Sequence, residues 1–224
     1  MTTEPTSLQH PVDWRDQRRR LSQLVWGRVT GLQDQYCPDQ KPEAKAALAQ
    51  LRRHATADGN RPLGIDAFAV DAHTQVPAEL YPLASNGKER RFGDEPTEAE
   101  IAVRSAMTLY AIHQQSRRER MHTDSSPGRS LARLAWASDG AHKSVRRRFA
   151  ALVTADSYPE LSHHLRTMIR MLRDQQVGLD YGRLAGDLFA WQYRTNRDGV
   201  RLAWSRDFEN NIAPRKNTEG DPTA

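Results

Sequence analysis

Three consecutive guanidinium groups, Arg146, Arg147 and Arg148, stand in the window SVRRRFAALV. Helical spacing puts Val145, Phe149, Leu152 and Val153 on one face, so Arg147 points away from the core and its two neighbours flank it. In the next window Arg166, Arg170 and Arg173 recur at i, i+4, i+7, opposite a stripe of Leu161, Leu165, Met168, Ile169 and Leu172. Like charges at such spacing repel by about 0.3 kcal/mol per pair, so the ladder disfavours the free helix slightly until anions neutralise it. Phosphate is the matching anion, because the planar guanidinium fork takes two oxygens at once. The competing account is a solvated helix face with internal pairs to Asp156, Asp174 or Asp187.

The wider charge pattern agrees in sign. Of the 33 cationic residues 28 are arginine, and the formal charge is +5 with a pI near 9.6. Between Arg129 and Asp207, 14 basic residues face 8 acidic ones, a surplus of six in the second half of the chain. A high-GC genome also enriches arginine over lysine, so the sign of the charge is the firmer signal. Aromatic residues that could stack bases lie close by at Trp191, Tyr193, Trp204 and Phe208. Tyr181, Leu184, Leu188 and Trp191 share one helical face, as do Val200 and Trp204, which assigns them to the core and leaves Tyr193 as the exposed candidate.

Other chemistries find less support. Glu160 and His163 have the Glu-x-x-His spacing of bundle di-iron sites, but a second such pair and two further glutamates are required. Glu160 instead completes a capping box with Ser157. There is no Gly-rich phosphate loop, nucleophile elbow or His-Glu-x-x-His motif, and Asp66, Asp71 and His73 fall in a region without pattern. The reading is a protein without a catalytic site, metal or cofactor. Cys37 is the single cysteine, so no intrachain disulfide can form and a reducing cytoplasm is the expected setting. No window has the apolar run of a membrane span and the amino terminus lacks a leader pattern, so no membrane contact is expected.

Helices must position these arginines. Strand signals are scarce, and the expected fold is all-α: two packed helical bundles, nine or so helices, no sheet. Residues 1–13 are expected as a flexible terminus, 14–115 as an N-terminal helical domain, 116–129 as a hinge, 130–208 as a C-terminal helical domain and 209–224 as a disordered tail. The first domain holds helices near 14–36 and 43–54, connecting structure over 57–95, and a helix entered through the capping box Thr97-Glu-Ala-Glu100. From 101 to 112 only Arg104 is charged, so this helix should be enclosed on all sides. The second domain holds windows near 130–137, 142–155, 159–173, 180–194 and 196–208. Ser157-x-x-Glu160 and Thr195-x-x-Asp198 read as capping boxes.

The run from Ser130 to Phe208 resembles the small-subunit (CasB) family of the type I-E CRISPR Cascade surveillance complex. The likeness lies in Ser-Leu-x-Arg-Leu at Ser130, Arg-Arg-x-Phe around Arg147 and Phe149, Leu-x-x-x-Leu-Arg from Leu161 to Arg166, Asp-Tyr-x-x-Leu from Asp180 to Leu184, and Trp204-x-x-x-Phe208. Upstream, Ala49-Gln-Leu-Arg-Arg53 is similar to the family's first basic motif. The resemblance implies a non-catalytic subunit, present in two copies, that contacts the backbone subunits and the large subunit. There it would steady the guide RNA–target DNA duplex and the displaced non-target strand.

Matched position by position, the resemblance implies nucleic-acid contacts at Arg52, Arg53, Arg133, Arg147, Arg148, Arg194 and Arg197. Helical geometry alone extends those surfaces to Lys143, Arg146 and Arg201. The rival reading is a stand-alone helical DNA-binding regulator with 195–206 as its reading helix, against which stand the shared face of Val200 and Trp204 and the lack of a short preceding helix.

Overall fold

A computed structural model describes residues 14–56, 72–80, 96–137 and 141–212. These form eight α-helices: α1 (Trp14–Tyr36), α2 (Pro42–Thr56), α3 (Glu98–His113), α4 (Pro127–Trp136), α5 (Ala141–Thr154), α6 (Tyr158–Asp174), α7 (Tyr181–Trp191) and α8 (Arg194–Ile212). A short 3-10 helix spans Ala78–Leu80, and no strand occurs among the described residues. The all-α expectation holds. Of 57–95, expected as connecting structure, 57–71 and 81–95 lie outside the described residues, as do 1–13 and 213–224.

The periodicity of α1 explains its packing. Leu21, Val25, Val29, Leu32 and Tyr36 recur every three to four residues and are all buried. That stripe lies along α7, and two glycines of α7 set the distance. A Cβ on Gly186 would stand 2.2 Å from the Ser22 hydroxyl, and one on Gly182 would stand 2.6 Å from the Ser22 carbonyl oxygen. Helix α3 is buried around nearly its whole circumference, as its uncharged run predicts, between α1, α2, α6 and α7. It begins at the expected capping box: Glu100 N donates to Thr97 Oγ1 at 3.2 Å, and Thr97 N donates to Glu100 Oε2 at 2.8 Å.

Two bundles result. Helices α1, α2, α3 and α7 pack together, and α4, α5, α6 and α8 form the second group, joined to the first through α3–α6 and α7–α8 contacts. Helix α7 follows α6 in the chain yet packs chiefly on α1 and α3. One apolar core runs through both groups.

Several boundaries differ from those read in the sequence. The stretch expected as a hinge is anchored: Gln33 on α1 donates to the His122 carbonyl and accepts from His122 N, Leu179 N donates to Met121 O, and Asp180 N donates to Ser125 O. Its last three residues are the first turn of α4. Ser126 is the N-cap, Pro127 occupies the position where a missing N–H costs nothing, and Gly128 allows contact with α8. Helix α8 runs on to Ile212 because Ile212 is buried and its carbonyl accepts from the Trp136 indole N–H. It also begins at Arg194, which places Thr195 inside the helix rather than at a cap. The Ser157 cap forms, but Glu160 reaches back to Asp156 N instead of Ser157 N.

Candidate nucleic-acid interface

Helix packing decides which cations face outward without a partner. On α4, Leu131, Leu134 and Ala135 are buried, which turns Arg129 and Arg133 outward at i, i+4. On α5, Val145, Phe149 and Leu152 are buried, leaving Lys143 and Arg147 exposed. Arg170 of α6 and Arg194 and Arg206 of α8 are exposed as well. None of these seven side chains hydrogen-bonds or ion-pairs with another described residue. Arg148 is half-buried and donates to the Ser144 hydroxyl at 3.3 Å.

Other arginines in the anticipated set are engaged inside the protein. Arg146 forks onto Glu209 at 3.0 and 3.1 Å and lies 5.9 Å from the Phe208 ring, which is itself stacked on Phe149 at 4.0 Å. Arg197 lies 4.0 Å above the Trp191 ring and donates to the Asp156 carbonyl at 2.9 Å. Arg201 donates to the Ala155 carbonyl and pairs with Asp156 and Asp198. Arg197 and Arg201 thus satisfy carbonyls just past the end of α5, where unpaired C=O groups carry partial negative charge. Arg52 is half-buried, its Nη1 3.4 Å from the Ala111 carbonyl, and burial lowers its pKa. Arg53 is exposed beside it on α2.

The helical ladder on α6 is also divided. Arg166 is partly buried with its Nε unpartnered, and desolvation and then Arg170 lower its pKa. Arg173 pairs with Asp174 at 3.0 Å. Arg61, Arg90 and Arg91 lie outside the described residues.

Sequence reasoning missed Arg129 and Arg206 as outward cations. Arg129 was legible: Ser126 followed by Pro127 is a helix start, and a start there puts Arg129 one turn before Arg133. Arg206 sits at i+2 from Trp204, off its buried stripe. Two exposed indoles were also missed, Trp26 and Trp136, at 52% and 51% exposure. Tyr193, the anticipated exposed aromatic, is half-buried with its ring 5.3 Å from Phe189. Trp191, Trp204, Tyr181 and Phe208 are in the core as expected.

The rival chemistries gain no geometry. Among the described residues no group of three or more His, Cys, Asp or Glu side chains converges on a metal position. Glu160 caps α6 and stands 3.8 Å from His164, not His163. The window 195–206 is the first two-thirds of α8, whose Val200, Trp204 and Phe208 are buried as α8 packs along α4. No described helix is long and apolar enough to cross a membrane.

Comparison with known proteins converges on one family. The family described as CRISPR-associated protein Cse2 matches residues 47–208. The chain is 29% identical over 142 residues to the CRISPR-associated protein Cse2 of Thermus thermophilus, covering 63% of this chain and 72% of that protein. Its fold is similar to the crystal structure of CasB from Thermobifida fusca, with a TM-score of 0.61 and 31% identity over 86% of this chain and 98% of that one. The family match thus runs from within α2, through α3 to α7, to Phe208 of α8, and the chain belongs to the Cse2 (CasB) family, the small-subunit family of the CRISPR Cascade complex.

Proposed function

We propose that this chain works without catalysis, holding nucleic-acid backbone so that the guide RNA–target DNA duplex and the displaced non-target strand persist once opened. The observation that carries this reading is the set of exposed cations on α4, α5, α6 and α8 that have no hydrogen-bond or ion-pair partner among the described residues. Like charges left unneutralised on adjoining helices oppose the free fold slightly and gain when phosphate arrives. Arg133, Lys143, Arg147 and Arg194 are the strongest of the anticipated contacts. Arg148 adjoins Arg147 on α5 and Arg53 lies apart on α2, while Arg52, Arg146, Arg197 and Arg201 must leave internal partners to join.

Exchange of a DNA duplex for an RNA–DNA duplex is nearly balanced in base-pair energy, so contacts to backbone decide whether the opened state lasts. Phosphate contacts carry no base sequence, which makes the binding sequence-indifferent and steeply weakened by salt. Guide pairing supplies the specificity. The partners in this reading are the backbone subunits, the large subunit, a second copy of the chain, the guide RNA and both DNA strands, in the cytoplasm and with no cofactor.

Co-purification tests the proposal. The tagged chain is expressed with the other Cascade subunits and a guide RNA, and the particle is challenged with supercoiled target. Wild type should enter the particle, and Arg147→Glu with Arg148→Glu should shorten R-loop lifetime without ejecting the subunit. A chain that never enters a guide-containing particle, or a charge reversal without effect on R-loop lifetime, sinks the reading.

A further inference from the structure

A groove of about 610 Å³ opens between the first half of α1 and the start of α7, far along the chain from the cations of α4 and α5. Its walls include Trp14, Arg15, Arg19, Trp26, Gly182 and Arg183. Gly182 keeps α7 tight against α1 at this level, since a Cβ there would stand 2.8 Å from the Trp26 Cβ. Trp26 itself is half-exposed, although the other large apolar residues of α1 point into the core. Its one ring neighbour among the described residues is His122, at 5.9 Å and 72°, so the indole is not sandwiched. A large exposed ring in a recess is an informative departure from burial, unlike a scattered surface leucine.

The groove is also cationic. Arg15, Arg18, Arg19 and Arg183 line it, against Asp180 as the one acidic residue of the lining among the described residues. Arg18 pairs with Asp187, Arg19 with Asp16 and Arg183 with Asp207, yet their side chains keep 36%, 70% and 45% exposure. A guanidinium carries five N–H donors, so these pairs leave donors turned outward. Arg15 lies 5.3 Å over the Trp14 ring, already in the arrangement in which a cation and an aromatic face share one surface. Asp180 is engaged as the N-cap of α7, accepting from Arg183 N at 2.9 Å.

An exposed indole, Trp26, with the partly buried Trp14 near it and guanidinium groups around both, matches the chemistry of an unpaired nucleotide, whose base offers a π face and whose phosphates are anionic. A duplex hides its base faces, and an acidic peptide has no use for the rings. We propose that this groove binds single-stranded nucleic acid, with an unpaired base stacked on Trp26 and adjoining phosphates on Arg15, Arg19 and Arg183. The proposal rests on the nucleic-acid reading above and adds to it a base-contacting site apart from the phosphate-holding helices.

The test uses the full chain with two fluorescent oligomers of equal charge at low salt, a dodecathymidylate and its abasic counterpart. Trp26→Ala should weaken the thymidylate roughly tenfold and leave the abasic oligomer unchanged, while Trp26→Phe, which keeps a ring, retains most of the affinity. Arg147→Glu with Arg148→Glu should weaken both oligomers alike. If Trp26→Ala leaves thymidylate affinity at the wild-type level while the charge reversal lowers it, the groove assignment falls and phosphate binding elsewhere stands. If the wild-type chain binds neither oligomer, both fall. If instead a polyglutamate peptide binds in a Trp26-dependent way and the thymidylate does not, the occupant is an acidic protein segment and the assignment is overturned.

Discussion

The guanidinium of Arg18 lies 2.5 Å from the carboxylate of Asp187, whose second oxygen accepts the Trp204 indole N–H at 2.6 Å. One buried carboxylate therefore ties α1, α7 and α8 together across nearly the whole chain. Burial raises the pKa of Asp187, and Arg18 and Trp204 act against that rise. Removing one partner leaves the others without compensation in a dry site.

Asp187→Ala should accordingly lower unfolding free energy by about 3 kcal/mol, read as a shift in urea midpoint. Arg18→Ala should cost less, about 1–2 kcal/mol, because a third of its side chain meets solvent. Equal midpoints for wild type and Asp187→Ala would show that the network contributes nothing.

Glycine positions give a contrast in sign. A Cβ at Gly128 would lie 2.3 Å from the Trp204 carbonyl oxygen and 2.9 Å from Phe208 N, both backbone atoms that cannot step aside. Gly128→Ala should force α4 off α8 and lower stability by about 3 kcal/mol. Gly199→Ala, on α8 with nothing within 4 Å, should raise it by about 1 kcal/mol through helix propensity alone. Thermal unfolding of the two variants should move in opposite directions.

Acid should unfold the protein through its buried histidines. His113 lies 2.9 Å from the Tyr181 hydroxyl, and burial pushes its pKa down to about 3; burial lowers that of His122 as well. An unfolded histidine titrates near 6.5, so between about 6.5 and 3 the unfolded chain holds the proton and the folded chain does not. Stability is complete above that window and falls as pH drops through it, by up to about 1.4 kcal/mol per pH unit for His113, and His122 acts in the same sense. Asp187, with its raised pKa, works in the opposite sense and offsets part of the loss. His113→Gln should flatten the decline in urea midpoint between pH 7 and 4.5, and an unaltered slope would remove His113 from the account.

Among the arginines, folding and binding should separate. Arg201→Gln strips the Ala155 carbonyl of its partner and should cost about 1–2 kcal/mol of stability. Arg133→Gln and Arg147→Gln touch no internal partner among the described residues, so their melting curves should stay at wild type. Each that meets a phosphate should instead reduce the slope of log affinity against log salt by about 0.7–0.9. Loss of stability without loss of slope at Arg147 would contradict its outward role.

Much of the architecture was legible from local pattern. The stripe of α1, the capping box at Thr97 and the enclosed run 101–112 follow from helical period and cap chemistry, which are properties of neighbouring residues. The sequence pattern places the start of α4 near 130, although Ser126-Pro127 marks it, because the whole polar run 116–129 reads as a hinge. Its fixation depends on Gln33, 89 positions from His122, and no local pattern carries such a bond. The end of α8 was misplaced at 208 for the same reason: Ile212 belongs to the helix because it meets Trp136.

The sequence by itself determined the all-α class, the buried faces of the helices, the sign of the surface charge and the family likeness, since periodicity, composition and motif order are written along the chain. Only the tertiary structure decided which arginines are engaged. Arg146 and Arg147 are adjacent in sequence, yet one forks onto Glu209 of α8 and the other faces solvent. Successive residues on a helix point about 100° apart, so the helix that packs alongside chooses between them. The same holds for the groove at Trp26, to which α1 brings Arg15 and Arg19 but which Gly182 and Arg183 complete only because α7 returns from the far end of the chain to lie against α1.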